Sequence, residues 1–187
     1  MRTNRGTTLE GDAVVIGVGI DPNVELASSA GLDVNNGIVV DEFCRTSIGN
    51  IYAAGDVANH YHPLFGLNLR VEHYDNALKQ GAAAAHNMLG HKHSYDHVHW
   101  FWSDQYDYNL QYAGFAPGSD EVVVRGSIDE RNFVAFYLSS GVLRAALGIN
   151  QGREVRRAMR LIAARATPDP DQLRDETLDL RRLTRSS

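Results

Sequence analysis

The stretch Thr46-Ser47-Ile48-Gly49-Asn50-Ile51-Tyr52-Ala53-Ala54-Gly55-Asp56-Val57-Ala58 decides how the chain is read. Residues 51–54 are a short β-type run, and Gly55 ends it with a residue that tolerates unusual φ/ψ and imposes no side chain on a neighbour. Asp56 is thereby expected at the carboxyl end of a strand. In open α/β sheets ligands lie at that edge, where a carboxylate can accept hydrogen bonds from sugar or ribitol hydroxyls. The plainer reading of the Gly-Asp pair alone is a buried strand followed by a loop aspartate that caps a helix.

Outward from this stretch, Asn35-Asn36-Gly37 signals a turn and Ile38-Val39-Val40 a buried strand. Residues 13–18 read as an apolar strand buried on both faces, after a turn at Asn4-Arg5-Gly6. Gly17-Val18-Gly19 is followed by Asp21-Pro22, where a phosphate loop needs its third glycine and helix start, so it is not one. Residues 24–30 suit a short helix closed by Gly31. Residues 59–68 read as a loop. His60-x-His62 within it lacks a third ligand at a supportive spacing, and residues 90–99, with four histidines and no cysteine, read as a solvated connection. No metal is therefore expected.

Residues 70–89 give the longest helical pattern of this half, with Tyr74, Ala77, Leu78, Gly81, Ala82, Ala85 and Leu89 on one face. Its amino end, carrying Arg70, Glu72 and His73, offers free backbone N–H groups. After Trp100-Phe101-Trp102 the pattern turns to strands at 110–115, 121–125, 133–138 and 143–149, joined by turns short enough for an antiparallel meander. A helix over 154–166, with Val155, Ala158, Met159, Ile162 and Ala163 on one face, covers that sheet. Leu173, Leu178, Leu180 and Leu183 anchor the tail.

The sequence as a whole also resembles a known family. Thr-Ser-x-x-x-Ile-Tyr-Ala-Ala-Gly-Asp-Val-Ala is similar to the second FAD-binding motif of the flavoprotein reductases built from two dinucleotide-binding domains. Residues 14–23, 70–77 (Arg-Val-Glu-His-Tyr-Asp-Asn-Ala) and 101–107 (Phe-Trp-Ser-Asp-Gln-Tyr-Asp) narrow the likeness to ferredoxin reductases that serve bacterial oxygenases, the putidaredoxin and rhodocoxin reductase type. The resemblance is strong over residues 11–107 and rests on pattern beyond them. That family carries two Gly-x-Gly-x-x-Gly fingerprints, and neither occurs in these 187 residues.

The resemblance implies a partial FAD/NAD(P)-binding Rossmann-like α/β domain followed by an α+β reductase domain of antiparallel sheet and helix. The expected divisions are 1–20, the last hairpin of the NAD(P)-binding domain; 21–95, the C-terminal part of the FAD domain; and 96–187, the reductase C-terminal domain. It implies FAD as cofactor, NAD(P)H as electron donor and a [2Fe–2S] ferredoxin as partner. Ala54, Gly55 and Asp56 are then cofactor-binding, Asp56 through the ribitol. Glu72 and His73 lie beside the isoalloxazine and nicotinamide, with Glu72 accepting from the carboxamide. Trp102 stands against the flavin ring on the electron's exit side, or else is an interface core tryptophan. The chain by itself is expected to be inactive and to lose FAD, because the pyrophosphate-binding glycine loop is missing.

A disulfide reductase shares the flavin stretch, but no histidine beyond His99 supplies its C-terminal base, and Cys44, the only cysteine, cannot form an internal pair. A truncated, non-catalytic interaction module is the remaining alternative. A net charge of −5 gives no reason to expect nucleic acid, although nine of the eighteen basic residues follow position 150. With 43% apolar content, no membrane-length apolar run and no signal-like start, the chain is expected to be globular and cytoplasmic.

Overall fold

The computed structural model describes residues 1–185, so the final two positions of the expected tail lie outside it. The chain builds two sheets, each with its helix. The first runs α1 (Glu25–Ser29), β1 (Ile38–Val40), β2 (Ala58–His62), β3 (Leu67–Arg70) and α2 (Tyr74–Met88). In it β1 pairs with β2 in parallel and β2 with β3 antiparallel. The second holds β4 (Trp100–Gln105), β5 (Tyr108–Gly114), β6 (Glu121–Ser127), β7 (Asn132–Ser139) and β8 (Val142–Ile149), followed by α3 (Gly152–Ala163) and α4 (Pro170–Arg174). This is a five-stranded antiparallel sheet packed by helix.

The second sheet departs from a simple meander. Its order is β4-β5-β8-β7-β6, so the β4–β5 hairpin docks on β8 and the later three strands follow from there in reverse sequence order. Residues 100–105 are themselves a strand, paired with β5 over Trp100↔Ala113 to Gln105↔Tyr108. Gly114 permits the docking: its φ is +87°, and a Cβ there would lie 2.2 Å from the Arg144 carbonyl oxygen. Helix α3 runs from Gly152 to Ala163 rather than 154–166, and it buries Val155, Ala158, Leu161 and Ile162 against this sheet; of the expected face Met159 is part-buried and Ala163 is exposed. Leu173, Leu180 and Leu183 close the core as the sequence indicates, and Leu178 packs against it part-buried. The buried Arg125 on β6 fixes that segment by donating to the carbonyl oxygens of Leu173, Asp175, Glu176 and Leu178.

Several local expectations need correction. Residues 13–18 form no strand, and Val15 and Val18 are 97% and 88% exposed. An apolar run becomes a strand only when a neighbour satisfies its backbone, and none of the described residues does so here. The expected loop at 59–68 is the β2–β3 hairpin, hidden in the sequence because its buried positions are Asn59, His60 and His62. The connection at 91–99 is not a solvated loop throughout: Tyr95, Val98 and His99 are buried.

Helix α2 begins at Tyr74 rather than 70, since Arg70 still pairs with Asn59 in β3. The face it buries carries Asn76, Gln80, Ala83, Ala84 and Asn87, while Tyr74, Leu78 and Leu89 stay exposed. That face is polar because it satisfies backbone groups of the neighbouring turns: Asn87 donates to the Phe43 and His93 carbonyls, and Asn76 to that of Val71. Cys44 is fully buried beside Ala83, Ala84 and Tyr95, and burial, with the Asp41 charge, pushes its thiol up to about 12.

Candidate functional site

The stretch at 51–57 is arranged differently from its sequence reading. Only Tyr52 is bridged, to Arg45, so residues 51–54 are extended chain without a full partner strand. Gly55–Val57 is a single 3-10 turn, and Asp56 therefore precedes β2 instead of following a strand. Gly55 has φ +79°, and a Cβ there would only touch Ala77 at an ordinary 3.5 Å, so the glycine is required by backbone conformation and not by crowding. Its N–H donates to Gln80 Oε1 at 2.8 Å, which fixes the turn to the polar face of α2.

Asp56 projects from this turn, exposed, into a mainly apolar cavity of about 610 Å³ walled by Ile20, Pro22, Leu26, Ile38, Ile51 and Val57. Arg70, at the end of β3, joins this turn to the residues that follow it. Its guanidinium donates to the Asp56 carbonyl oxygen and to Asn36 Oδ1 and pairs with the Glu72 carboxylate at 2.5 Å.

Glu72, His73 and Trp102 meet at a second cavity of about 510 Å³, lined also by Tyr74, Asp75, Trp100, Phe101 and Ser103. It lies where the amino end of α2 faces the edge strand β4. The indoles of Trp100 and Trp102 stack with centroids 4.8 Å apart, and Trp100 Nε1 donates to Gln111 Oε1. Trp102 is 44% exposed, so it is a wall rather than a core residue. His73 is the N-cap residue of α2 and caps it with no side-chain hydrogen bond, leaving the first N–H groups of the helix to be met by something else. Its ring lies 5.3 Å from that of Phe101, and its buried Nδ1 has no hydrogen-bond partner among the described residues. Burial lowers the His73 pKa, against the charges of Asp75 and Asp56, so the imidazole is neutral near pH 7.

The structure thus brings Glu72, His73 and Trp102 together, and places Asp56 at the first cavity on an adjoining turn, with the buried Gly55 in that turn and Ala54 at its N-cap, neither of them lining the cavity. Arg70, Gln80 and Trp100 also shape the site, and the sequence reading did not assign them. Trp100 and Trp102 could have been paired by their i, i+2 spacing in a strand, whereas the roles of Arg70 and Gln80 depend on contacts across the fold. The fold also supplies what His60-x-His62 lacked in sequence, since His99 lies against both rings.

Two family models match: pyridine nucleotide-disulphide oxidoreductase over residues 1–81 and reductase C-terminal over residues 100–184. The chain is 47% identical over 182 residues to the ferredoxin–NAD(+) reductase component of an anthranilate 1,2-dioxygenase system from Burkholderia cepacia, covering 97% of this chain and 45% of that protein. It is 40% identical to rhodocoxin reductase from Rhodococcus erythropolis, over 96% of this chain and 42% of the relative. Among solved structures, a covalent putidaredoxin reductase–putidaredoxin complex superposes with TM-score 0.90 at 37% identity, over 96% of this chain and 43% of that one. The chain spans less than half the length of these relatives.

Proposed function

The chain belongs to the ferredoxin reductases of the putidaredoxin and rhodocoxin reductase type, whose C-terminal part it matches, and from that premise we propose that it forms one side of the flavin site in an FAD-dependent enzyme. That enzyme moves electrons from NAD(P)H to a [2Fe–2S] ferredoxin serving an oxygenase. The family's cofactors are FAD and NAD(H). The observation that carries the reading is the convergence of Glu72, His73, Trp100 and Trp102 on one cavity, beside an uncapped helix start.

The residues fit a flavin on their own chemistry. Gly55 in the left-handed region sets the turn that presents Asp56, and Asp56 is an exposed acceptor suited to ribitol hydroxyls. The N–H groups at the start of α2 suit the electron-rich pyrimidine edge of the ring. When bound, FAD supplies the redox chemistry, accepting a hydride and releasing electrons singly.

Around it the chain's own groups bind and orient. Arg70 holds Glu72 in place, leaving a carboxylate oxygen to accept from the nicotinamide carboxamide. His73, kept neutral, positions its ring at the cavity wall without adding a cation. Trp100 and Trp102 exclude water from that wall, and Trp102, the outer of the two, marks the side on which ferredoxin approaches. The same reading divides the chain at about residues 20 and 95, and leaves these 187 residues alone without activity because they contain no glycine fingerprint. Among the described residues no helix is long and apolar enough to cross a membrane.

Expression of the whole reading frame that contains these residues tests the proposal. FAD-loaded protein that reduces a [2Fe–2S] ferredoxin with NAD(P)H is expected. Protein that takes up no FAD, or that reduces only disulfides, overturns it.

A further inference from the structure

A cluster of three histidines lies behind the flavin-facing wall, and the proposed redox function leaves it unused. His60 and His62 alternate on β2 and so point to the same face, where both are fully buried. His99, 4% exposed, stands at the entrance to β4 and is held by the Gly114 N–H, which donates to its carbonyl oxygen at 2.8 Å. The ring centroids are 5.4 Å apart for His60–His62 and His60–His99, and 4.8 Å for His62–His99.

Among the described residues, five of the six ring nitrogens have no hydrogen-bond partner: both of His60, both of His99, and Nδ1 of His62. Buried polar atoms are normally satisfied, and so many orphans facing one another need an occupant. The sixth, His62 Nε2, lies 3.0 Å from the His97 carbonyl oxygen. Donation to that carbonyl puts the proton on Nε2 and leaves the Nδ1 lone pair free, the arrangement by which an outer acceptor orients a metal-bound histidine.

Independently of the flavin reading, we propose that His60, His62 and His99 form a binding site for one divalent late-transition-metal ion, with Zn²⁺ as its probe. One donor nitrogen from each ring lies within 4.8 Å of the other two. Tetrahedral zinc, with Zn–N of about 2.0–2.1 Å, needs them about 3.4 Å apart, a contraction that small ring rotations supply. The rings are uncharged near neutral pH. Burial, reinforced by His62, holds His60 down to about 4, and burial with the surrounding imidazoles lowers His99 further. The Leu69 backbone opposes the shift at His60, although neither ring nitrogen there reaches hydrogen-bond geometry.

The charge of the exposed Asp96 acts on His62 and would offset part of the ion's charge. His99 also lines a cavity of about 280 Å³ shared with Arg70, Glu72 and His73. Three neutral nitrogen ligands leave a fourth position for water. Since two ligands belong to the β2–β3 hairpin and the third opens β4, the ion staples the first sheet to the second.

The test is equilibrium dialysis of the full 187-residue chain against micromolar zinc, followed by metal analysis, with cobalt(II) substitution as a second measurement. The expected result is about one zinc per chain and the intense visible absorption of tetrahedral cobalt. Zinc at about a hundredfold above Kd is also expected to raise the melting temperature by roughly 5–10 °C. His60→Asn and His99→Asn should each lose the ion and the shift, while a His91→Asn/His93→Asn chain keeps both. A wild-type chain that stays metal-free, an octahedral cobalt spectrum, or full binding by the His60 and His99 variants overturns the proposal. Because the cobalt spectrum is read on the wild-type chain, it decides the matter even if a variant does not fold.

Discussion

The Gly55 N–H and the Gln80 side-chain oxygen, 25 positions apart in sequence, meet at 2.8 Å in the interior, and this bond sets the Gly55–Val57 turn on helix α2. Gln80 is fully buried, and its Oε1 also accepts from Asn76, whose own Oδ1 accepts from the Tyr95 hydroxyl. The turn that carries Asp56 is thus anchored by a polar network inside the fold. Replacing Gln80 by Leu leaves the Gly55 N–H buried without an acceptor, at a cost of about 1–3 kcal/mol. For a chain of this length that lowers the melting temperature by roughly 2–12 °C. A thermal melt of Gln80→Leu that overlays the wild type would show that the network does not hold the turn.

Asp56→Ala in the FAD-loaded full-length enzyme is expected to weaken FAD binding about ten- to a hundredfold, the equivalent of about 1.5–3 kcal/mol for hydrogen bonds to a charged acceptor. The fold should be little affected, because the Asp56 side chain is exposed and the hydrogen bond from Arg70 uses the Asp56 backbone oxygen. Flavin titration and apoprotein melting separate the two effects. Wild-type FAD affinity in the mutant removes Asp56 from the cofactor site.

Glu72→Ala is expected to raise the KM for NADH by about five- to a hundredfold, with flavin content unchanged, as one hydrogen bond of about 1–3 kcal/mol is lost. Arg70→Ala should produce a weaker change in the same direction, because it frees the Glu72 carboxylate without removing it. Steady-state kinetics on both variants provide the check. Lost flavin at an unchanged KM would assign Glu72 to the flavin instead.

Trp102→Ala is expected to slow ferredoxin reduction more than reduction of the flavin by NADH. The side chain is 44% exposed on the edge strand and rests on Trp100, so its removal opens the outer wall while Trp100 remains tied to Gln111. Stopped-flow traces of the two half-reactions measure the difference. Equal slowing of both points to a general packing loss.

The sequence by itself determined the features that depend on neighbours along the chain. Gly31 and Gly55 take the left-handed backbone their positions suggested, the 3.6-residue stripe of α3 faces the sheet, and the tail leucines pack into the core. The motif at 46–58, with those around Glu72 and Trp102, was enough to identify the family, because each is a contiguous run. Tertiary structure decided the rest. Residues 13–18 and 51–54 carry strand-like composition but lack a partner strand, and a strand exists only through hydrogen bonds to a neighbour that local sequence does not reveal. The β2–β3 hairpin was hidden for the opposite reason: its pairing is good, but polar His60, His62 and Asn59 occupy its buried positions. Likewise α2 buries its Asn and Gln face because Gln80 and Asn87 complete backbone groups at Gly55 and Phe43, 25 and 44 positions away in sequence. The meeting of His99 with His60 and His62 spans nearly forty positions and rests on β4 docking beside the first sheet, a long-range contact that no local period encodes.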